Sequence, residues 1–274
     1  MKKLAVAISL LLVSTGATIA ADMAVKAPPP VPVYSWTGFY IGANVGGAWS
    51  HSEDATTTIF SPTGYFATSS IPAIAAAGQH RINNSNVTGG FTAGYNWQLN
   101  TLVVGVEADM NYFGFRGNAT SGAVYPCCAP TAFTINSSVS TDWLATVRAR
   151  VGLLATPNLL LYGTGGVAIA EVKANFLFTD TFATALETGA IRDTRVGWTA
   201  GVGGEYALGN GWSFKAEYLY VDLGWPNVTS TNLTAFPARI PLPTNVFTHS
   251  VHITSNIGRV GVNYKFGGPV VAKY

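Results

Sequence analysis

"GRVGVNYKFGGPVVAKY", residues 258–274, decides how the chain is read. Arg259, Gly261, Asn263 and Lys265 alternate with Val260, Val262, Tyr264 and Phe266. An extended segment here puts small, polar or charged groups on one face and aliphatic and aromatic groups on the other. A soluble barrel turns its apolar face inward, whereas a barrel in a bilayer has lipid outside and a polar interior. Cations inside and aromatics outside fit the bilayer arrangement, provided the chain is exported and the pattern recurs.

Export is written at the other end. Residues 1–20, "MKKLAVAISLLLVSTGATIA", combine Lys2 and Lys3, an apolar run and small residues up to Ala20, the three-part layout of a signal peptide. Removing Lys2 and Lys3 takes the formal charge of +2 to about 0, so no argument for nucleic acid or another polyanion survives. Residues 21–35 hold prolines 28, 29, 30 and 32 and read as a Pro-rich periplasmic linker. Residues 36–266 then form one domain, followed by a C-terminal periplasmic extension at 267–274.

Composition narrows the class of that domain. The chain is 48% hydrophobic and 10% charged, with 30 glycines, which is too apolar for an ordinary soluble surface. After the signal there is nevertheless no apolar run of roughly 18 residues that would make a membrane helix. An apolar chain without spanning helices implies strands of roughly 9 to 11 residues, alternating lipid-facing and lumen-facing positions.

Such strands recur. "WTGFYIGANVGGAW" at 36–49 sets Phe39, Ile41, Val45 and Trp49 against Tyr40, Gly42 and Asn44. Similar alternation runs over 88–99, 102–112, 140–153, 159–170, 195–207, 212–222 and the opening stretch. The connections near Asn100, Pro157 and Asn210 are short, while those at 50–86, 116–138, 174–194 and 223–249 are long and rich in Ser, Thr, Asn, Gly and Pro. The expected fold is all-β: an eight-stranded antiparallel transmembrane β-barrel with short periplasmic turns and long extracellular loops, about eight strands leaving both termini in the periplasm. Phe39, Trp97, Trp212 and Phe266 fall at periplasmic strand ends, and Trp49, Tyr112, Trp143 and Tyr218 suit the opposite aromatic girdle. The soluble alternative, a secreted lipocalin-type barrel, would place the charged positions outside and leave a surface poor in lysine.

The segments "WTGFYIGANVGGAW", "RVGLLA" with "LLYGTGG", "FKAEYLYVDLG" and "GRVGVNYKF" together resemble the small alphaproteobacterial outer-membrane proteins of the 25-kDa and 31-kDa type, a family with an OmpA-like barrel. The resemblance covers nearly all of the mature chain. It implies an eight-stranded barrel with a largely structural role in the envelope, and in some members haem binding or host interaction. It also implies outer-membrane lipid, lipopolysaccharide and the outer-membrane assembly machinery as partners. Residues 259–266, "RVGVNYKF", resemble the terminal strand which that machinery recognises, with Arg259, Gly261, Tyr264 and Phe266 in the matching places. The usual pattern ends at the last aromatic; here eight residues follow, and Gly267, Gly268 and Pro269 break the strand.

The inner face supplies the candidate functional residues. Glu107, Asp109, Glu205 and Glu217 share one lumen with Arg148, Arg150, Lys215, Arg259 and Lys265. Charges buried together are costly unless paired, so these predict a network of structural ion pairs. An eight-stranded barrel is only about wide enough for side chains to fill, which disfavours a wide pore. His51, His80, His249 and His252 fall in loops or at outer strand ends and form no metal-ligand spacing, so no cofactor is indicated. The stretch 249–256, "HSVHITSN", resembles the His and Ser of barrel lipid A deacylases. Period two puts His252 and Ser255 on opposite faces, which argues against catalysis. Adjacent Cys127 and Cys128 suit either a vicinal disulfide or a bond between chains. The expected function is a structural barrel that organises the envelope and presents loops; the alternatives are a narrow porin-like channel and a loop-borne receptor for haem or a host surface.

Overall fold

The computed structural model describes residues 34–267, so the signal peptide, most of the linker and residues 268–274 lie outside the described residues. Strands β1 (Gly38–Thr58), β2 (Gln79–Leu99), β3 (Leu102–Val124), β4 (Ala132–Thr156), β5 (Leu159–Asp180), β6 (Leu186–Gly209) and β7 (Trp212–Asp222) follow one another as an antiparallel meander. Three short strands come next, β8 (Asn227–Ser230), β9 (Thr234–Ala235) and β10 (Ile240–Pro241), and then the long β11 (Phe247–Lys265). Because β11 pairs with β7 on one side and β1 on the other, the eight long strands close into a ring with no free edge. The opening stretch is the closing strand: Lys265 lies opposite Tyr40, Gly261 opposite Asn44, and Arg259 opposite Gly46.

The short turns form where the sequence places them. Asn100 and Asn210 take left-handed backbones with φ of 56° and 51°, and Gly211 follows Asn210 at 83°. Asn-Gly with positive φ at both places is the turn whose twist matches a two-residue hairpin. The faces also fall as expected. Phe91, Met110, Val147, Trp198, Phe214 and Val262 are exposed to the lipid side, while Asn44, Thr92, Glu107, Arg148 and Lys215 are buried inside.

The long loops need correcting. Much of 50–86, 116–138 and 174–194 continues as strand: β1 runs on to Thr58, β3 to Val124 and β5 to Asp180 before turning back. The reason is a change of surroundings along each strand. In β11, Arg259, Gly261, Asn263 and Lys265 face in and Val260 and Val262 face out, but further from the periplasm Phe247, Val251, Ile253 and Ile257 face in and Thr248, Ser250 and Thr254 face out. Above the bilayer the outer wall meets water, so the same strand reverts to the soluble pattern with its apolar side inward. Phe113, Phe115, Val172, Phe176 and Ile253 build one buried cluster in this upper barrel.

A second apolar cluster caps the extracellular mouth. Helix α1 (Ser70–Ala77), in the β1–β2 connection, buries Ile74 beside Phe66, Phe133, Phe178 and Phe247. The helix ends where the Gly78 amide bonds Ile74 O at 2.8 Å, and its position in this loop was not foreseen. Asp180 ties the cap together, its Oδ2 accepting from Tyr65 Oη at 2.5 Å and Tyr125 Oη at 3.0 Å.

Candidate functional site

The lumen is filled in layers from the periplasm outward. Trp36, just before β1, is 1% exposed and packs with Val103, Leu160 and Tyr162 across the periplasmic opening. Its amide donates to Gln98 Oε1 at 2.8 Å and its indole to Pro157 O at 3.3 Å, tying the incoming segment to two turns. Tyr34, read from sequence as linker, stacks edge-on against Trp36 at 5.0 Å and belongs to the same plug.

The ionic layer lies above it. Arg148 reaches Glu107 at 2.6 Å, Asp109 at 2.7 Å and Glu217 at 3.1 Å. Arg259 reaches Glu217 at 2.6 Å and Asp109 at 3.0 Å, Lys215 reaches Glu107 at 2.9 Å, and Arg150 reaches Glu205 at 3.0 Å. Four carboxylates thus meet four cations from β3, β4, β6, β7 and β11, all buried. Neutral donors complete the coordination. Tyr40 Oη donates to Glu107 at 2.8 Å, Tyr162 Oη to Glu217 at 3.1 Å, Thr146 Oγ1 to Asp109 at 2.8 Å and Ser213 Oγ to Glu205 at 2.5 Å. The Arg150 guanidinium sits between the rings of Tyr40 and Tyr162, 4.9 Å and 5.0 Å from their centroids. Period two had already put Tyr40 on the inner face; what it could not show was which carboxylate it would reach.

Lys265 is the exception among the predicted lumen charges. It stands at the periplasmic rim, one strand end away from the carboxylates, with Nζ 3.5 Å from Thr37 O and 5.5 Å from the centroid of the Tyr34 ring. It therefore belongs to the plug and not to the ion-pair layer. Tyr264 and Phe266, of the candidate assembly signal, lie on the outer periplasmic rim, where Phe266 stacks on Phe39 at 5.7 Å and Tyr264 meets Trp212 at 5.1 Å. Arg259 and Gly261 of the same signal face inward, and a Cβ on Gly261 would come within 2.6 Å of Ala43 O, so glycine is needed for the close approach of β11 to β1.

The four histidines sit on the outer halves of strands and not in loops. His252 bonds Asp222 at 3.0 Å and stacks on Trp225 on the outer wall, while Ser255 faces inward and bonds Ser50 at 2.8 Å. His51 bonds Asn83 at 2.6 Å. Buried His249 bridges Thr56 at 2.9 Å and Glu187 at 3.1 Å, an arrangement the sequence did not reveal because the three lie on β11, β1 and β6. Cys127 and Cys128 are joined to each other, in the β3–β4 connection.

His80 and Asp54 make a further polar pair in the upper barrel, both in reach of Ser137, whose Oγ donates to Asp54 Oδ2 at 2.7 Å and lies 3.3 Å from His80 Nδ1. Burial holds the His80 imidazole below 6.5 and raises the Asp54 carboxyl above its ordinary range. Folding therefore weakens proton binding at His80, so its contribution is complete above about pH 6.5 and is lost as pH falls below that, through the lower value of the folded state. The unfolding midpoint of the wild type should fall more between pH 7 and 5 than that of His80→Gln; equal falls would exclude His80 as the cause.

A closed antiparallel ring with an apolar outer belt, aromatic rims and a charged, filled lumen is a transmembrane barrel of the bacterial outer membrane. The chain belongs to the family described as outer membrane protein beta-barrel domain, whose model matches residues 8–236. Among its relatives, the 31 kDa outer-membrane immunogenic protein of Brucella melitensis is 35% identical over 254 residues, covering 90% of this chain and 93% of the relative. The 25 kDa outer-membrane immunogenic protein of the same organism is 28% identical over 273 residues, covering 97% and 99%. Among solved structures, the outer membrane protein OprG from Pseudomonas aeruginosa covers 85% of this chain and 97% of its own at 14% identity and a TM-score of 0.45.

Proposed function

We propose that this protein is a closed structural barrel that holds a rigid extracellular platform in the outer membrane, rather than a channel or an enzyme. The observation that carries the reading is the stacking of fillings along one lumen: the Trp36 plug, the balanced ion-pair layer, the apolar upper core and the Phe66–Phe247 cap. An ion would have to pass the aromatic plug, a layer whose charges are already paired with one another and the packed apolar clusters above it, none of which offers free polar groups enough to replace its hydration shell. The platform reading draws on the length of strand beyond the outer girdle, which lifts the loops clear of the bilayer.

Conductance separates this reading from the channel. Purified protein in a planar bilayer should show no large steady conductance. Frequent open events of general-porin size would mean that the fillings move aside, and would overturn it.

A further inference from the structure

The chain's two cysteines stand side by side in "YPCCAP", residues 125–130, and are bonded to each other. A disulfide stabilises a fold mainly through the length of chain it closes, and adjacent residues close almost none. Cys127–Cys128 is therefore no staple, and what distinguishes it is its chemistry.

Its surroundings prepare it for exchange. In this extracellular β3–β4 connection Pro126, Cys127, Ala129 and Pro130 are exposed, while Cys128 is half-buried and packs against the apolar cap. The turn is held without help from sulfur. The Tyr125 amide donates to Thr131 O at 2.9 Å, the Cys128 amide to Tyr125 O at 3.2 Å and the Thr131 amide to Cys128 O at 3.0 Å. Tyr125 is buried, with its ring 5.0 Å from that of Phe133 and its hydroxyl on Asp180 at 3.0 Å. The two sulfurs thus stay neighbours when the bond between them is cut. The Ser70 hydroxyl, on the first residue of α1 and 1% exposed, lies 3.7 Å from Cys127 Sγ. A disulfide sulfur carries no proton, so the serine is the donor.

We propose that Cys127–Cys128 is a thiol–disulfide exchange site on the cell surface, with low-molecular-weight thiols of the glutathione class as its reactants. A thiolate attacks the exposed Cys127 sulfur. The S–S bond breaks, its electron pair goes to Cys128 Sγ, which takes a proton from water, and a mixed disulfide remains on Cys127. A second thiolate then attacks the sulfur of the bound thiol. The small disulfide leaves, and the electron pair goes to Cys127 Sγ, where the Ser70 hydroxyl is placed to donate to the thiolate. Two thiols are oxidised to one disulfide, and the cysteine pair is reduced to a dithiol. Because the turn keeps the cysteines together, oxidised thiol runs the same steps backwards. The site is independent of whether the lumen conducts, so its test and the conductance test can fail separately.

The test incubates the purified full chain in detergent with reduced and oxidised glutathione at a series of ratios, followed by acid quenching, alkylation and mass spectrometry. The wild type should pass from disulfide to dithiol as the reduced form is raised, with glutathione on Cys127 at intermediate ratios, and should return when the ratio is reversed. Cys128→Ser should take up glutathione on Cys127 from the oxidised form. Cys127→Ser, which leaves the half-buried Cys128, should react about tenfold more slowly. Adding Ser70→Ala to Cys128→Ser should slow Cys127 and require a higher pH for the same rate, a change that loss of packing alone does not produce. Heat-modifiable migration confirms that each variant is folded. A wild-type disulfide that stays intact in excess reduced glutathione, or adducts on Cys128 in place of Cys127, would overturn the proposal. So would equal rates for the two single-cysteine variants, or a pH profile indifferent to the Ser70 hydroxyl.

Discussion

Replacing Arg148 and Arg150 together with methionine is expected to lower stability far more than removing Glu107 and Asp109 along with them. Arg148 alone holds three carboxylates, and Arg150 holds Glu205 and lies 3.5 Å from Glu107. Loss of one partner from a buried pair costs about 3–5 kcal/mol, since the charge left behind can neither pair nor reach water. The double replacement leaves four carboxylates facing only Lys215 and Arg259, and the barrel's paired backbone does not let the strands part to hydrate them. Adding Glu107→Gln and Asp109→Asn restores neutrality, with Glu205 and Glu217 against Lys215 and Arg259. The quadruple variant should therefore recover several kcal/mol relative to the double one, a coupling visible in urea unfolding in micelles. Strictly additive effects would show that the pairs are incidental to stability.

The second large effect concerns assembly and carries a proposal: that the machinery inserting the barrel recognises the strand ending at Phe266. Tyr264 and Phe266 project from the outer periplasmic rim, and the Phe266 amide makes a last bond to Phe39 O at 2.9 Å. Gly267 then turns the chain away with φ of +108°. Tyr264→Ser with Phe266→Ser should leave most of the protein unassembled in the periplasm. Deleting residues 267–274 should leave heat-modifiable barrel in the outer membrane. The reverse outcome would place the signal at Tyr274.

What the sequence made legible was the part of each strand that lies in lipid. There the contrast between neighbours is strong, as between Phe214 and Lys215 or between Val262 and Asn263, and both strand positions and lumen charges could be read from it. The upper half was missed because inside and outside trade polarity there. Ser50, Ser52, Asp54 and Thr56 are buried, and a run of small polar residues looks like a loop when only lipid-facing residues are sought. Threonine and the β-branched residues among them favour strands in any case. Lys265 was misplaced for another reason. Parity tells which side of the wall a residue faces but not how far along the barrel it stands, and Lys265 faces inward below the carboxylates. The same limit hid the contact of His249 with Glu187, which depends on how strands of distant sequence are staggered.

The cap at the extracellular mouth has a consequence for anything that reads this protein from outside the cell. Its exposed side brings together Tyr65 of the β1–β2 connection, Phe182 between β5 and β6, and Phe236 between β9 and β10, held in place by the Phe236 amide on Ala183 O, by the Tyr65 ring against Phe182 and by Tyr65 and Tyr125 on Asp180. No single loop contains that surface. A receptor or an antibody that grips that side binds an epitope that exists only while the chain is folded, and a synthetic peptide copied from any one loop carries a fragment of it.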